Sequence, residues 1–91
     1  MNQEQVKSES AIRDVVIEYC VVCNYRAIAA VTAKQVEMEF GVKPTFVQSK
    51  VNGALEVKVD GELIFSKTKS GRFPQQGEVV QILKKRMKGE A

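Results

Sequence analysis

Both cysteines of this chain fall within residues 15–25, which read Val-Val-Ile-Glu-Tyr-Cys-Val-Val-Cys-Asn-Tyr. No other stretch constrains the fold so tightly. The β-branched run Val15, Val16 and Ile17 favours an extended strand, because such side chains pack well on a pleated surface. That strand delivers Cys20 to its end, where a long helical pattern takes over and is expected to place Cys23 in the first helical turn. Two residues between the sulfurs is the spacing of a dithiol that closes into a disulfide. A helix N-terminus offers unsatisfied N–H groups and a partial positive charge, which favour a thiolate over a thiol.

Three readings of the pair compete with a redox-active dithiol. Tetrahedral zinc takes four ligands, and with no histidine and no third cysteine the chain supplies half a site. Only a dimer sharing two pairs completes it. A c-type haem anchor needs histidine where Asn24 stands. Two inert buried cysteines are the plain alternative. The position at a strand–helix junction, where the carboxyl ends of strands form binding crevices, favours the redox dithiol.

The chain has 91 residues, 44% of them hydrophobic, and this suits one globular domain with a single core. No apolar run approaches the ~20 residues of a membrane span, and the polar start lacks a signal-peptide core. The expectation is a cytoplasmic protein with no membrane partner, in a reducing compartment where an isolated dithiol works as chemistry rather than as a staple. Residues 1–83 hold ten basic and ten acidic side chains, so the net charge of +3 comes from Lys84, Lys85, Arg86 and Lys88 against Glu90. Such a cluster at a helix C-terminus faces the negative end of the dipole. Without interleaved aromatics it is weak as a nucleic-acid footprint, and no nucleic-acid partner is expected.

In order, residues 1–13 read as a loose extension and 14–89 as the domain. The unbroken Val-Val-Ile predicts a first strand over 14–19, buried on both faces and central in its sheet. Ile28, Ala29, Thr32, Ala33, Val36 and Phe40 recur at helical spacing, predicting a helix over 24–40 that Gly41 ends. Residues 42–51 read as a second strand, parallel to the first by the crossover rule. Asn52-Gly53 marks a turn. Leu55, Val57 and Val59 alternate with polar residues as a half-buried strand, and Asp60-Gly61 predicts a hairpin into a strand over 62–66. Residues 67–72 read as a charged loop. Phe73-Pro74 introduces a last helix striped by Val79, Val80, Leu83 and Met87 and stopped at Gly89.

Around the dithiol, Val21 and Val22 form either an exposed apolar rim or core. Tyr19 and Tyr25 pack near the sulfurs or simply fill the core. Arg26 lends charge to Cys23 or faces solvent, and Ser66, Lys67, Ser70, Gly71 and Arg72 belong to the polar loop. Access at the strand end favours Cys20 as the attacking sulfur, with Cys23 resolving.

Three stretches together carry a family resemblance: Tyr19-Cys-x-x-Cys23-Asn24-Tyr25; Leu55-Glu56-Val57 leading to Asp60-Gly61-Glu62-Leu63-Ile64-Phe65-Ser66-Lys67; and Ser70-Gly71-Arg72-Phe73-Pro74. They resemble the selenoprotein W/T/H (Rdx) family, most of all its small bacterial members with cysteine in place of selenocysteine. The resemblance spans residues 14–84. It implies a thioredoxin-like α/β fold, ordered β-α-β-β-β-α with a four-stranded mixed sheet, and a thiol–disulfide oxidoreductase role in redox homeostasis. Cys20 and Cys23 are then the catalytic residues. The partners are thiols and disulfides of proteins or of glutathione, the latter a candidate co-substrate, and no bound cofactor is implied. Selenocysteine in the family aligns with Cys23, which points to the opposite order of attack. The chain lacks the Gly-Pro pair of thioredoxins and has Leu55 where the family commonly has Phe. A redox-sensing binding module without turnover is the reading from another class.

Overall fold

The computed structural model describes residues 12–87. Strand β1 (Val15–Tyr19) runs into a turn, and helix α1 (Arg26–Phe40) follows. Strands β2 (Thr45–Gln48), β3 (Leu55–Val59) and β4 (Glu62–Ser66) come next, then the short helix α2 (Lys67–Ser70) and helix α3 (Glu78–Met87). The sheet order is β2-β1-β3-β4, with β1 parallel to β2 and antiparallel to β3, and β3 antiparallel to β4. The expected β-α-β-β-β-α order and four-stranded mixed sheet are therefore present, with one extra helical turn.

β1 lies centrally, as its composition predicts, but it is not buried on both faces. Val15, Ile17 and Tyr19 are buried while Val16 and Glu18 are half-buried. The register explains the difference. Val15 faces Val59, Ile17 faces Val57 and Tyr19 faces Leu55, so all the buried positions share one side of the sheet. Ala29, Ala33, Val36 and Phe40 of α1 and Val79, Val80 and Leu83 of α3 belong to the same cluster. Both helices thus cover one face, giving two layers. The other face is polar, and there Lys58 pairs with Glu18 at 2.9 Å. Each fully buried Ile, Leu or Val contributes about 1.5–3 kcal/mol.

Local chemistry sets the boundaries. Gly41 takes the left-handed conformation (φ 73°) and its N–H closes on the Glu37 carbonyl, ending α1 where expected. Asp60 (φ 51°) and Gly61 (φ 85°) form the tight hairpin. The Asp60 carboxylate also accepts the N–H groups of Arg13 (3.1 Å) and Asp14 (2.9 Å), fixing the chain that enters β1. The second strand is shorter than the 42–51 expected, since Pro44 lacks an N–H and, among the described residues, β2 pairs with β1 alone.

Two further expectations are corrected. Residues 67–70 are helix rather than loop: the Ser66 hydroxyl caps the Lys69 N–H and Gly71 (φ 76°) closes the other end. The last helix starts at Glu78, four residues beyond Pro74. The Glu78 carboxylate takes two 2.7 Å bonds from Arg72 and one of 2.8 Å from the Gln75 N–H, which defines that start. Of the extension expected over 1–13, residues 1–11 lie outside the described residues. Ile12 is in the core at 1% exposure, so packing begins ahead of residue 14. Gly89 also lies outside the described residues. Among the described residues no helix is long and apolar enough to cross a membrane.

Candidate active site: the Cys20–Cys23 turn

Cys20 follows β1 directly, and its N–H still pairs across the sheet with the Ala54 carbonyl at 2.9 Å. The chain then turns. The Asn24 N–H returns to the Val21 carbonyl at 2.9 Å, and the Tyr25 N–H to the Cys20 carbonyl at 3.3 Å. Asn24 supports this reversal with φ 65°, a conformation that asparagine tolerates better than most side chains. Cys20 and Cys23 are joined by a disulfide with their Cα atoms 5.3 Å apart, inside bonding reach.

The expected placement of Cys23 in the first helical turn is not what the structure has. Cys23 sits in the turn, and α1 begins three residues later at Arg26. The helix dipole fades within one turn, so it is a weaker influence on Cys23 than the sequence implied. Other donors serve the sulfurs. The Gly53 N–H points to Cys23 Sγ at 3.3 Å, and the Cys23 N–H to Cys20 Sγ at 3.3 Å. Gly53 meets Cys23 from the turn after β2, where its φ of 82° favours glycine.

Access is also the reverse of the expectation that made Cys20 the reachable sulfur. Cys20 is 2% exposed, because it continues β1 beneath the turn, whereas Cys23 is half-buried. Val22 stands out at 89% exposure and Val21 is exposed as well, so this pair is rim rather than core. Arg26 is exposed on the solvated side.

The aromatic neighbours divide. Tyr19 is core and meets Phe46 edge-on at 6.1 Å. Tyr25 is half-buried and meets Phe73 edge-on at 4.9 Å. The Lys67 ammonium stands over both of these rings, 5.4 Å from Tyr25 and 5.1 Å from Phe73. Lys67 is held there by the capped turn of α2. Ser66 donates to the Glu56 carboxylate, which also accepts from the Thr68 N–H (3.3 Å) and hydroxyl (3.2 Å). Burial pushes the Glu56 carboxyl up, but the bonds from Ser66 and Thr68 outweigh it and hold the group below its ordinary value.

Sequence reasoning missed Gly53 and Lys67 as neighbours of the dithiol. The signal for Lys67 is local: a serine cap, four residues and a glycine stop. The residues beyond β2 gave only a turn. Of the basic tail, Lys84 pairs with Glu39 at 3.1 Å and Arg86 bonds Glu62. Among the described residues no group of three or more His, Cys, Asp or Glu is placed to hold a metal.

Comparison with known proteins adds to this geometry. The model of the Rdx family matches residues 14–85. The chain is 29% identical over 89 residues to migration and invasion enhancer 1 of Mus musculus, covering 94% of this chain and 74% of that protein. It is 29% identical over 79 residues to the Bos taurus protein of the same name, covering 84% of this chain and 66% of the relative. A selenoprotein W-related protein from Vibrio cholerae superposes with a TM-score of 0.71 at 20% identity, over 81% of this chain and 95% of its own. A Bordetella parapertussis crystal structure gives 0.67 at 23% identity, over 84% and 94%. These likenesses bear out the expected thioredoxin-like fold.

Proposed function

From the premise that this chain belongs to the Rdx family, we propose that it is a thiol–disulfide oxidoreductase whose Cys23 attacks and whose Cys20 resolves. Family membership and the Cys-x-x-Cys pair support a redox-related function at the coarser level. The single observation behind the finer reading is the unequal access of the two bonded sulfurs, Cys20 at 2% exposure and Cys23 half-buried.

The reaction starts from the dithiol. Cys23 loses its proton to solvent, and its thiolate attacks one sulfur of a substrate disulfide. A mixed disulfide forms, and the other substrate sulfur leaves as a thiolate that takes up a proton. Cys20, now deprotonated, attacks Cys23 Sγ and closes the internal bond. The second substrate sulfur departs and is protonated in turn. Two electrons have passed from the dithiol to the substrate. Two molecules of glutathione, or one partner dithiol, return them and become a disulfide themselves. Within the chain, the Gly53 N–H stabilises charge on Cys23 and the Cys23 N–H stabilises it on Cys20. Protein and glutathione thiols are the proposed partners, in a reducing cytoplasm and without a bound cofactor.

A second reading rests on Val22, whose exposure beside the disulfide suits a partner surface that changes with redox state. Intact-mass titration against glutathione redox buffers separates the two. The enzyme account expects a two-electron transition between dithiol and disulfide, and catalytic turnover of a disulfide substrate. A reversible transition with redox-dependent binding and no turnover supports the sensor. No transition at all overturns both.

A further inference from the structure

Lys67 is a half-buried cation with no carboxylate in ion-pair reach among the described residues, whereas Lys58, Arg72, Lys84 and Arg86 each hold one. Its ammonium instead rests on the rings of Tyr25 and Phe73. It lies 3.9 Å from where a Cβ on Gly53 would stand, and the Gly53 N–H donates to Cys23 Sγ. One glycine therefore neighbours both the cation and the sulfur.

Aromatic faces hold an ammonium in place without neutralising it. Partial burial lowers the effective dielectric, so such a charge acts further than one in open water. A cation placed in this way is suited to an anion that comes and goes. Opening the disulfide creates one beside Gly53.

We propose that Lys67 is a positioning residue whose ammonium, braced on Tyr25 and Phe73, works with the Gly53 N–H to hold Cys23 as a thiolate after reduction. This rests on the reading that Cys23 attacks. The proton that Cys23 gives up goes to solvent, and Lys67 stays protonated throughout.

The segments gathered at the turn, residues 20–26, 49–54 and 66–72, contain no Asp or Glu. Besides Lys67 and the two cysteines themselves, their charged or titratable groups are Tyr25, Arg26, Lys50, Lys69 and Arg72. Arg26, Lys50 and Lys69 are exposed, and Arg72 is engaged by Glu78. Glu56, the carboxylate bonded to the first turn of α2, is occupied by Ser66 and Thr68. Lys67 is thus the half-buried cation of the site.

The test uses full-length Cys20→Ser protein, which leaves Cys23 as the single thiol. Ionisation is followed by the ultraviolet absorbance of the thiolate and by the rate of iodoacetamide alkylation across pH, with circular dichroism to confirm folding. Cys23 is expected to titrate below the ordinary ~8.5. Adding Lys67→Gln should raise its midpoint by about one unit, a roughly tenfold loss of thiolate below both midpoints. Lys67→Arg should retain the parent midpoint. Added salt should move the parent toward the Gln variant, since it screens a partly exposed charge. The proposal is overturned if Lys67→Gln titrates like the parent, or if Lys67→Arg shifts as far as Lys67→Gln in a folded protein. If the Gln variant does not fold, a salt-independent parent titration overturns it instead. None of these readouts needs turnover. A Lys67-dependent midpoint in a protein that reduces no disulfide keeps this inference and sinks the proposed reaction, while turnover with an unmoved midpoint does the opposite.

Discussion

Glu56→Gln is the substitution that tests how the rim of the site is built. One carboxylate oxygen serves the hydroxyls of Ser66 and Thr68, and the other takes the Thr68 N–H at 3.3 Å. An amide keeps one acceptor oxygen and turns an NH2 toward a donor. At least one bond from α2 is lost, along with the charge that strengthens the rest. Thr68 is exposed, so water can take its freed N–H. The cost is therefore about 1 kcal/mol, near the centre for a single net hydrogen bond rather than for a buried orphan. In a domain of this size that lowers the thermal midpoint by roughly 4–8 °C. The pH dependence follows from the direction of the Glu56 shift. A carboxyl held below its ordinary value stabilises the fold above that value, and the contribution disappears as falling pH protonates it. Urea unfolding at neutral pH and again in acid should show the parent ahead at neutral pH and the two converging in acid. Hydrogen exchange at the Lys69 amide, capped by Ser66, should quicken in the variant. Equal stability at neutral pH, or a gap that persists in acid, would refute the anchoring role.

The Arg72–Glu78 clamp makes a second acid-sensitive contribution. Arg72 and then the Gln75 N–H hold Glu78 down at about 2, so its stabilisation is complete above the ordinary carboxylate range and is lost as pH falls toward 2. Glu78→Gln should remove about 1 kcal/mol, the upper end for a solvent-accessible pair, and flatten the acid limb of the stability profile; an unchanged limb would contradict this. Leu55→Ala empties a fully buried position between sheet and helices and should cost about 3 kcal/mol in denaturant unfolding, against a typical total of 5–15; a loss below about 1 would show a looser core than the packing implies. Val22→Ser should leave stability within about 0.5 kcal/mol because the side chain is already in water, and a larger loss would mean that Val22 is packed. Replacing Lys84 and Lys85 with Gln should not change disulfide turnover, and a strong loss, or salt-sensitive nucleic-acid binding by the parent, would restore the tail as a functional surface.

What the sequence displayed and what it hid follow from the range of the forces involved. The α1 face, the Gly41 stop and the Asp60-Gly61 hairpin rest on neighbours within a few positions, and each appears where the pattern puts it. β1 was legible as central, but its Val-Val-Ile run is equally compatible with burial on one face or two. The placement of both helices on one side decided that, and it is a property of the assembled layers. α2 reads as a loop in the sequence because lysine and threonine carry no apolar period; Ser66 and Gly71 are its visible marks. Cys20 and Cys23 were readable as a pair from spacing alone. Their relative access was not, because it depends on Ala54 pairing with Cys20 and on Gly53 reaching Cys23 across 30 residues.

Trapping the mixed disulfide tests the central claim most directly. Each single-cysteine variant, Cys20→Ser and Cys23→Ser, is mixed with glutathione disulfide at neutral pH, and the adduct is measured over time by intact mass. Cys23 is the more accessible sulfur, so Cys20→Ser should accumulate the glutathione adduct quickly and hold it, since no neighbouring thiol remains to resolve it. Cys23→Ser, with its one sulfur 2% exposed, should react slowly. Faster and fuller trapping in Cys23→Ser would make Cys20 the attacking sulfur and contradict the account.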